Sequence, residues 1–181
     1  YSSPMQVGAL TNWSSVSCGG YFTVSIKTDG TLWSWGYNYT GQLGLGNTTS
    51  YSSPKQVGAL TNWLSVSCGY FHTVSIKTDG TLWSWGRNSF GQLGLNNTTY
   101  YSSPKQVGAL TNWSSVSCGY AHTVSIKTDG TLWSWGYNGL GQLGLGNVTY
   151  YSSPKQVGAL TSWTKLFKGS TTQSTLAMKS S

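Results

Sequence analysis

A chain of 181 residues with 14% aromatic and 7% charged residues is built to bury a core, and this excludes a disordered segment, which carries more charge and fewer aromatics. The formal charge of +7 excludes less, but one Arg and no basic run leave the cations thinly spread, so nucleic acid is not an expected partner. There is no run of roughly eighteen apolar residues and no charged-then-apolar leader, so neither membrane insertion nor a secretory signal is expected.

The chain opens on Tyr1 rather than Met, as a processed or excised piece would. Its first segment, YSSPxQVGALTxW, returns at 51, 101 and 151; SIKTDGTLWSWG stands at 25, 75 and 125; GQLGL begins at 41, 91 and 141. A period of fifty residues signals an array or ring of one supersecondary unit. It also multiplies the lysines, as Lys27, Lys77 and Lys127 and as Lys55, Lys105 and Lys155.

Within a copy, strand A is expected around 14–19. Strand B follows at 22–27, where Val24 and Ile26 alternate with Thr23, Ser25 and Lys27. Asp29-Gly30 then supplies the positive φ of a tight hairpin, and Asp79-Gly80 and Asp129-Gly130 repeat it. Strand C at 32–35 carries Trp33 and Trp35, and Trp35, Trp85 and Trp135 are read as structural. After a variable stretch comes strand D at 54–57. Four short strands in about fifty residues, with no helical periodicity, is the size of one propeller blade.

The expected fold is all-β, a β-propeller segment of four-stranded antiparallel blades, about three and a half in this chain. It would comprise an outer strand of a preceding blade at 1–13, blades at 14–63, 64–113 and 114–163, and a partial diverged blade at 164–181. Lys165, Lys168 and Gln173 mark that last copy as a polar cap or the first of several diverged blades. Three and a half blades cannot close a normal ring, and an open stack exposes Trp-rich faces and strand edges. Completion by another chain or by a missing remainder is therefore expected.

Cys18, Cys68 and Cys118 lie fifty residues apart, which does not suit disulfide pairing, and no His or second Cys stands at ligand spacing. They are read as small buried residues against a neighbouring unit, with no metal or cofactor expected. Unpaired cysteines favour a reducing compartment or a virion assembled in the cytoplasm; the compartment is otherwise open. The sequons at Asn12, Asn38, Asn47 and Asn112 matter only in a eukaryotic secretory route.

The run CGYAHTVSIKTDGTLWSWGYNGLGQLGLG at 118–146 resembles the repeat of the regulator of chromosome condensation family. The shared features are Cys-Gly, a following His-Thr, an apolar strand, Asp-Gly, Trp135-Gly136, Asn138 and the run Gly141 to Gly144. Phe22 departs from the pattern where His72 and His122 stand. The resemblance implies a propeller of four-stranded blades, in which His72 and His122 pack and hydrogen-bond within the blade. It also implies propellers of bacterial and phage origin, including surface or virion components.

The copies differ mainly in two loops. The A–B loops carry Tyr21, Phe22, Tyr70, Phe71 and Tyr120, and the C–D loops carry Tyr37, Tyr39, Arg87, Phe90, Tyr137 and Leu140. Alternating strand direction puts both loops on one rim, whereas the invariant KTDGT and GALTxW connections emerge on the other. Loops meeting a non-repetitive partner need to differ, and Tyr, Phe and Arg carry interface energy. The expected function is a non-enzymatic protein-binding or structural module, self-associating and working through this rim. Guanine-nucleotide exchange on a small GTPase, the family's namesake activity, and carbohydrate binding stay open as alternatives. Catalysis has no paired acid and base: Asp29, Asp79 and Asp129, the only acids, belong to hairpin turns, while Gln42, Gln92 and Gln142 are read as ties to a neighbouring blade.

Overall fold

The computed structural model describes residues 3, 5–9, 11–167 and 176–179. Copy one forms β1 (Trp13–Cys18), β2 (Phe22–Lys27), β3 (Leu32–Gly36) and β4 (Tyr51–Gln56). Copy two forms β5 (Trp63–Cys68), β6 (His72–Lys77), β7 (Leu82–Gly86) and β8 (Tyr101–Gln106). Copy three forms β9 (Trp113–Cys118), β10 (His122–Lys127), β11 (Leu132–Gly136) and β12 (Tyr151–Gln156). Each set is a four-stranded antiparallel sheet in chain order, and β13 (Trp163–Phe167) pairs with β14 (Leu176–Lys179) in a fourth, two-stranded sheet. The sheets stack as blades of a propeller that does not close, and no helix occurs among the described residues.

Strand A begins at Trp13, earlier than expected, because Trp13 pairs with Lys27 across a bulge before Ser15. Strand D runs Tyr51–Gln56 rather than 54–57. Pro54 lies inside it, which an outer edge strand tolerates because its outward side needs no N–H. Of the segment 1–12, Ser3 and Met5–Ala9 form bends and irregular backbone, while Tyr1, Ser2, Pro4 and Leu10 lie outside the described residues. So do Lys168 and Gln173.

The B–C hairpin differs in detail from the sequence expectation. Gly30 alone takes the positive φ, at 77°. Asp29 works through its carboxylate, which accepts hydrogen bonds from Thr31 N at 3.0 Å and Thr31 Oγ1 at 2.6 Å. The same pair of bonds closes the turns at Asp79 and Asp129. The Thr hydroxyl in turn accepts from Trp33 Nε1 at 2.8 Å, so turn and strand C are fixed together.

The core lies between blades. Val24, Ile26, Leu32 and Leu43 of copy one pack with Trp63, Val66, Cys68 and Trp85 of copy two, and copies two and three repeat the arrangement. At the two junctions between four-stranded blades a Trp knob enters a Gln-Leu-Gly socket. Trp85 Nε1 and Thr73 Oγ1 both donate to the Gln42 carbonyl at 2.9 Å, and Trp135 and Thr123 do the same to Gln92. Gly44, at φ 75°, lies beneath the Trp85 ring, where a Cβ would stand 2.7 Å from Nε1. Nearer the axis, Cys68 N donates to Ser17 Oγ at 3.0 Å, and Cys118 N donates to Ser67 Oγ at 2.9 Å.

Lys27, Lys77 and Lys127, which sequence alone gives as scattered charge, are buried. Each ammonium lies 3.7 Å from the ring centre of the strand-C tryptophan and about 5 Å from that of strand A. Burial lowers the ammonium pKa of Lys77 and Lys127, while the nearby Asp opposes the shift. These lysines fill space with their stems and rest their charge on an aromatic face.

Candidate functional site

One buried asparagine organises each C–D loop. Asn38 Nδ2 donates to the carbonyls of Asn47 at 3.0 Å and Thr49 at 2.9 Å, and its Oδ1 accepts from Leu43 N at 2.9 Å. Asn88 and Asn138 repeat this. With Nδ2 buried and committed, the Asn38 sequon is closed to modification in the folded chain. Gln42 Oε1 accepts from Thr40 N and Oγ1, and Gln92 and Gln142 accept from Phe90 N and Leu140 N. The glutamine side chain thus closes its own loop, while the backbone carbonyls of Gln42 and Gln92 reach the next blade.

The A–B loops are bonded to one another across blades: Gly20 N donates to the Tyr70 carbonyl and Tyr70 N to the Tyr120 carbonyl, each at 3.1 Å. This brings the aromatic side chains into one continuous surface. Tyr37 meets Tyr39 at 4.7 Å and Phe71 at 5.7 Å between ring centres, and Tyr70 meets Phe71 at 4.5 Å. Tyr70 stacks on Tyr120 at 4.6 Å and donates its hydroxyl to Tyr21 at 3.1 Å, a bond that raises the Tyr70 hydroxyl above its ordinary range. Tyr21, Tyr39 and Leu140 are 64%, 70% and 72% exposed, so this surface faces solvent. Tyr37, Tyr70, Phe71, Arg87, Phe90 and Tyr137 are half-buried and Tyr120 is exposed at the edge.

Phe22 does not belong to the rim. It is buried, it begins β2 on the same face as Val24 and Ile26, and its ring lies against Gly19. The period of two shared with those residues is the signal that would have placed it there. Tyr100 and Tyr150, both exposed, join the rim without having been singled out from the sequence. Tyr150 lies 4.9 Å from Tyr137 and 5.6 Å from Phe90, and the Tyr100 hydroxyl meets Ser89 Oγ at 3.0 Å. Their signal is the change from Ser50 to Tyr at the end of each later copy.

Arg87 lies among these rings. Its Nε donates to Ser89 Oγ at 2.7 Å, and its guanidinium is 5.8 Å from the Phe71 ring centre and 5.9 Å from that of Phe90. No acid shares the rim, since Asp29, Asp79 and Asp129 all lie in B–C turns. Beside Phe90 a hollow of about 230 Å³ is lined by Tyr120, Ala121, His122, Tyr137 and Gln142.

The remaining singled-out residues are mostly buried. His72 Nε2 lies 3.2 Å from Thr123 Oγ1 of the next blade. Burial, reinforced by His122, pushes His72 down to about 3, and burial takes His122 to about 4. Trp85 and Trp135 are wholly buried, and Trp35 is half-buried. Cys68 and Cys118 are buried, with burial pushing the Cys68 thiol well above its ordinary range. Cys18, expected to be buried, is exposed, because no sheet among the described residues covers that face of blade 1. No group of three metal-ligating side chains occurs among the described residues, and no helix there is long and apolar enough to cross a membrane.

The family model for the regulator of chromosome condensation (RCC1) repeat matches residues 29–76, 79–126 and 129–172, and a second model of the same repeat matches 13–42, 63–92 and 113–142. The RCC1 domain-containing protein RUG3, mitochondrial, of Arabidopsis thaliana is 49% identical over 47 residues, which is 25% of this chain and 11% of that protein. Among solved structures, Prp20p of Saccharomyces cerevisiae, described with its binding to Gsp1p and histones, superposes with a TM-score of 0.74 at 24% identity. That match covers 83% of this chain and 39% of Prp20p. Human WBSCR16 matches with a TM-score of 0.60 at 17% identity, over 99% of this chain and 60% of its own. The chain therefore spans less than two thirds of each of these relatives.

Proposed function

The chain belongs to the regulator of chromosome condensation repeat family, and from that premise we propose that it is a non-enzymatic, protein-binding propeller segment that acts through the A–B/C–D rim. The observation that carries this is the joining of aromatic side chains from three copies into one exposed surface on internally hydrogen-bonded loops. Rigid Tyr and Phe side chains lose little entropy on binding and supply large contact area. On the opposite rim the KTDGT turns are identical in all three copies, and the D–A connections differ only where Ser162 replaces Asn62 and Asn112.

The test is a pair of exchanges. Replacing 20–21, 37–40, 70–71, 87–90, 120–121 and 137–140 by Ser/Gly-rich loops is expected to abolish capture of a crosslinked protein partner. Replacing the turns at 28–30, 78–80 and 128–130 by Asn-Gly turns is expected to leave it intact. Equal tolerance of both removes the reading. Neither nucleotide release from a small GTPase nor retention on a glycan array is expected, and a positive result in either assay would favour that alternative.

Self-association is a second reading with its own observation. On blade 1, Val16 is 60% exposed and Cys18 is exposed, whereas Val66 and Cys68 at the same places in copy two are buried. A face of this kind is covered either by a second copy of the chain or by a further blade of a longer chain, and the second copy is the case a native mass can test. Native mass of the 181-residue chain above that of a monomer is expected; a monomer at all accessible concentrations would sink this part.

A further inference from the structure

Residues 21, 71 and 121 occupy the same place in the three A–B loops and are Tyr, Phe and Ala. In copy two the Phe71 ring fills the space between Tyr70, at 4.5 Å, and Tyr37 of the preceding C–D loop, at 5.7 Å. Arg87 lies on its other side at 5.8 Å. In copy three Ala121 leaves that space open. The result is the hollow of about 230 Å³ among Phe90, Tyr120, Ala121 and Tyr137, with His122 and Gln142 also lining it among the described residues. An apolar cavity of roughly 150 Å³ is enough to hold benzene.

The position equivalent to Tyr37 is taken at this second junction by Arg87, whose guanidinium is held by Ser89 and by the faces of Phe71 and Phe90. Among the described residues only its Nε donates a hydrogen bond, which leaves both terminal nitrogens as a fork for a carboxylate. It is the one charge in these loops. The buried His122 ring beneath the hollow is neutral at physiological pH, with its pKa down at about 4.

Resting on the rim reading above, we propose that the hollow at Ala121 receives an aromatic side chain of a partner protein, flanked in the partner by a carboxylate that pairs with Arg87. The incoming ring reproduces what Phe71 does in the neighbouring copy, so the chain itself carries the template for its ligand. The acid follows from charge complementarity with a rim that holds one cation and no anion.

The test uses the 181-residue chain and the peptide acetyl-Asp-Asp-Phe-Asp-Asp-amide, followed by NMR of the Ala121 methyl group. A saturable shift of that methyl is expected. Replacing the peptide's Phe by Ala is expected to weaken binding roughly tenfold, the factor for about 1.4 kcal/mol of lost ring burial. Replacing its Asp residues by Lys is expected to weaken it at least about threefold, a preference that Arg87→Gln removes. Ala121→Phe fills the hollow with the chain's own ring and is expected to abolish binding; Ala121→Tyr serves as a second variant, since Phe71 and Tyr21 show that both rings fit this place in the fold. Binding that persists in Ala121→Phe, or an Ala121 methyl that never moves, overturns the inference. If the peptide then binds at Tyr21 and Tyr39, the rim reading survives; if it binds at the Asp79 turn, both fall. A methyl group shifted by methyl β-glucoside and not by the peptide overturns the inference in favour of a sugar ligand.

Discussion

Alanine at Gly44 probes the junction between blades more directly than truncation of a core side chain. The Trp85 ring is wholly buried and its Nε1 is bonded to the Gln42 carbonyl at 2.9 Å, so it cannot retreat from a methyl group 2.7 Å away without giving up that bond. Alanine at φ 75° costs about 1–2 kcal/mol through its left-handed backbone. Overpacking the fitted interface adds about 1–3 kcal/mol. Gly144 provides the control: its φ is 67°, but the nearest atom to a Cβ is Val157 Cγ1 at 3.4 Å, an ordinary contact. Gly144→Ala is therefore expected to show the backbone cost alone, and Gly44→Ala to exceed it by about 1–3 kcal/mol, the overpacking part. Gly94→Ala, 2.8 Å from Trp135 Nε1, is expected to behave like Gly44→Ala. Urea unfolding, followed by tryptophan fluorescence and circular dichroism with the denaturant slopes compared, measures all three. Equal losses at Gly44 and Gly144 would refute the knob-and-socket account of blade stacking.

Three further outcomes are expected. His72 has its folded pKa depressed to about 3 from 6.5, so it stays neutral while the unfolded chain takes up a proton; its stabilisation is complete above pH 6.5 and is lost as pH falls toward 3. His72→Phe, the residue found at position 22, is expected to reduce the slope of stability against pH in that window by up to about 1.4 kcal/mol per pH unit, measured by urea midpoints from pH 7 to 4. Lys77→Met is expected to change stability by less than about 1 kcal/mol, because losing the cation–π contact is offset by sparing a partly desolvated ammonium, whereas Lys77→Ala also loses the packed stem and costs about 2 kcal/mol or more. Tyr39→Ser, at a 70% exposed position, is expected to leave the melting curve within about 0.5 kcal/mol of the parent while weakening partner capture, which separates a binding role from a structural one.

The blade architecture was legible because three near-identical copies make the period unmistakable and because strands B and C alternate cleanly. What escaped the sequence depends on contacts between segments far apart in the chain. Lys77 lies on Trp63 and Trp83, one on each flanking strand, and no local pattern marks it as buried. Gln42 was expected to reach the next blade, but the atom that does so is its backbone carbonyl, which no side-chain identity announces. Phe22 was misplaced because its position varies among copies, although its parity with Val24 and Ile26 marked it as core. The rim was legible as a set of variable loops. Its continuity was not, because the backbone bonds from Gly20 to Tyr70 and from Tyr70 to Tyr120 run between copies.

Hydrogen–deuterium exchange on the chain bound to its crosslinked partner tests the functional account most directly. Slowed exchange is expected at 20–21, 37–40, 70–71, 87–90, 120–121 and 137–140, with the turns at 28–31, 78–81 and 128–131 unchanged. Protection gathered on those turns, with the aromatic loops exchanging as in the free chain, would contradict it.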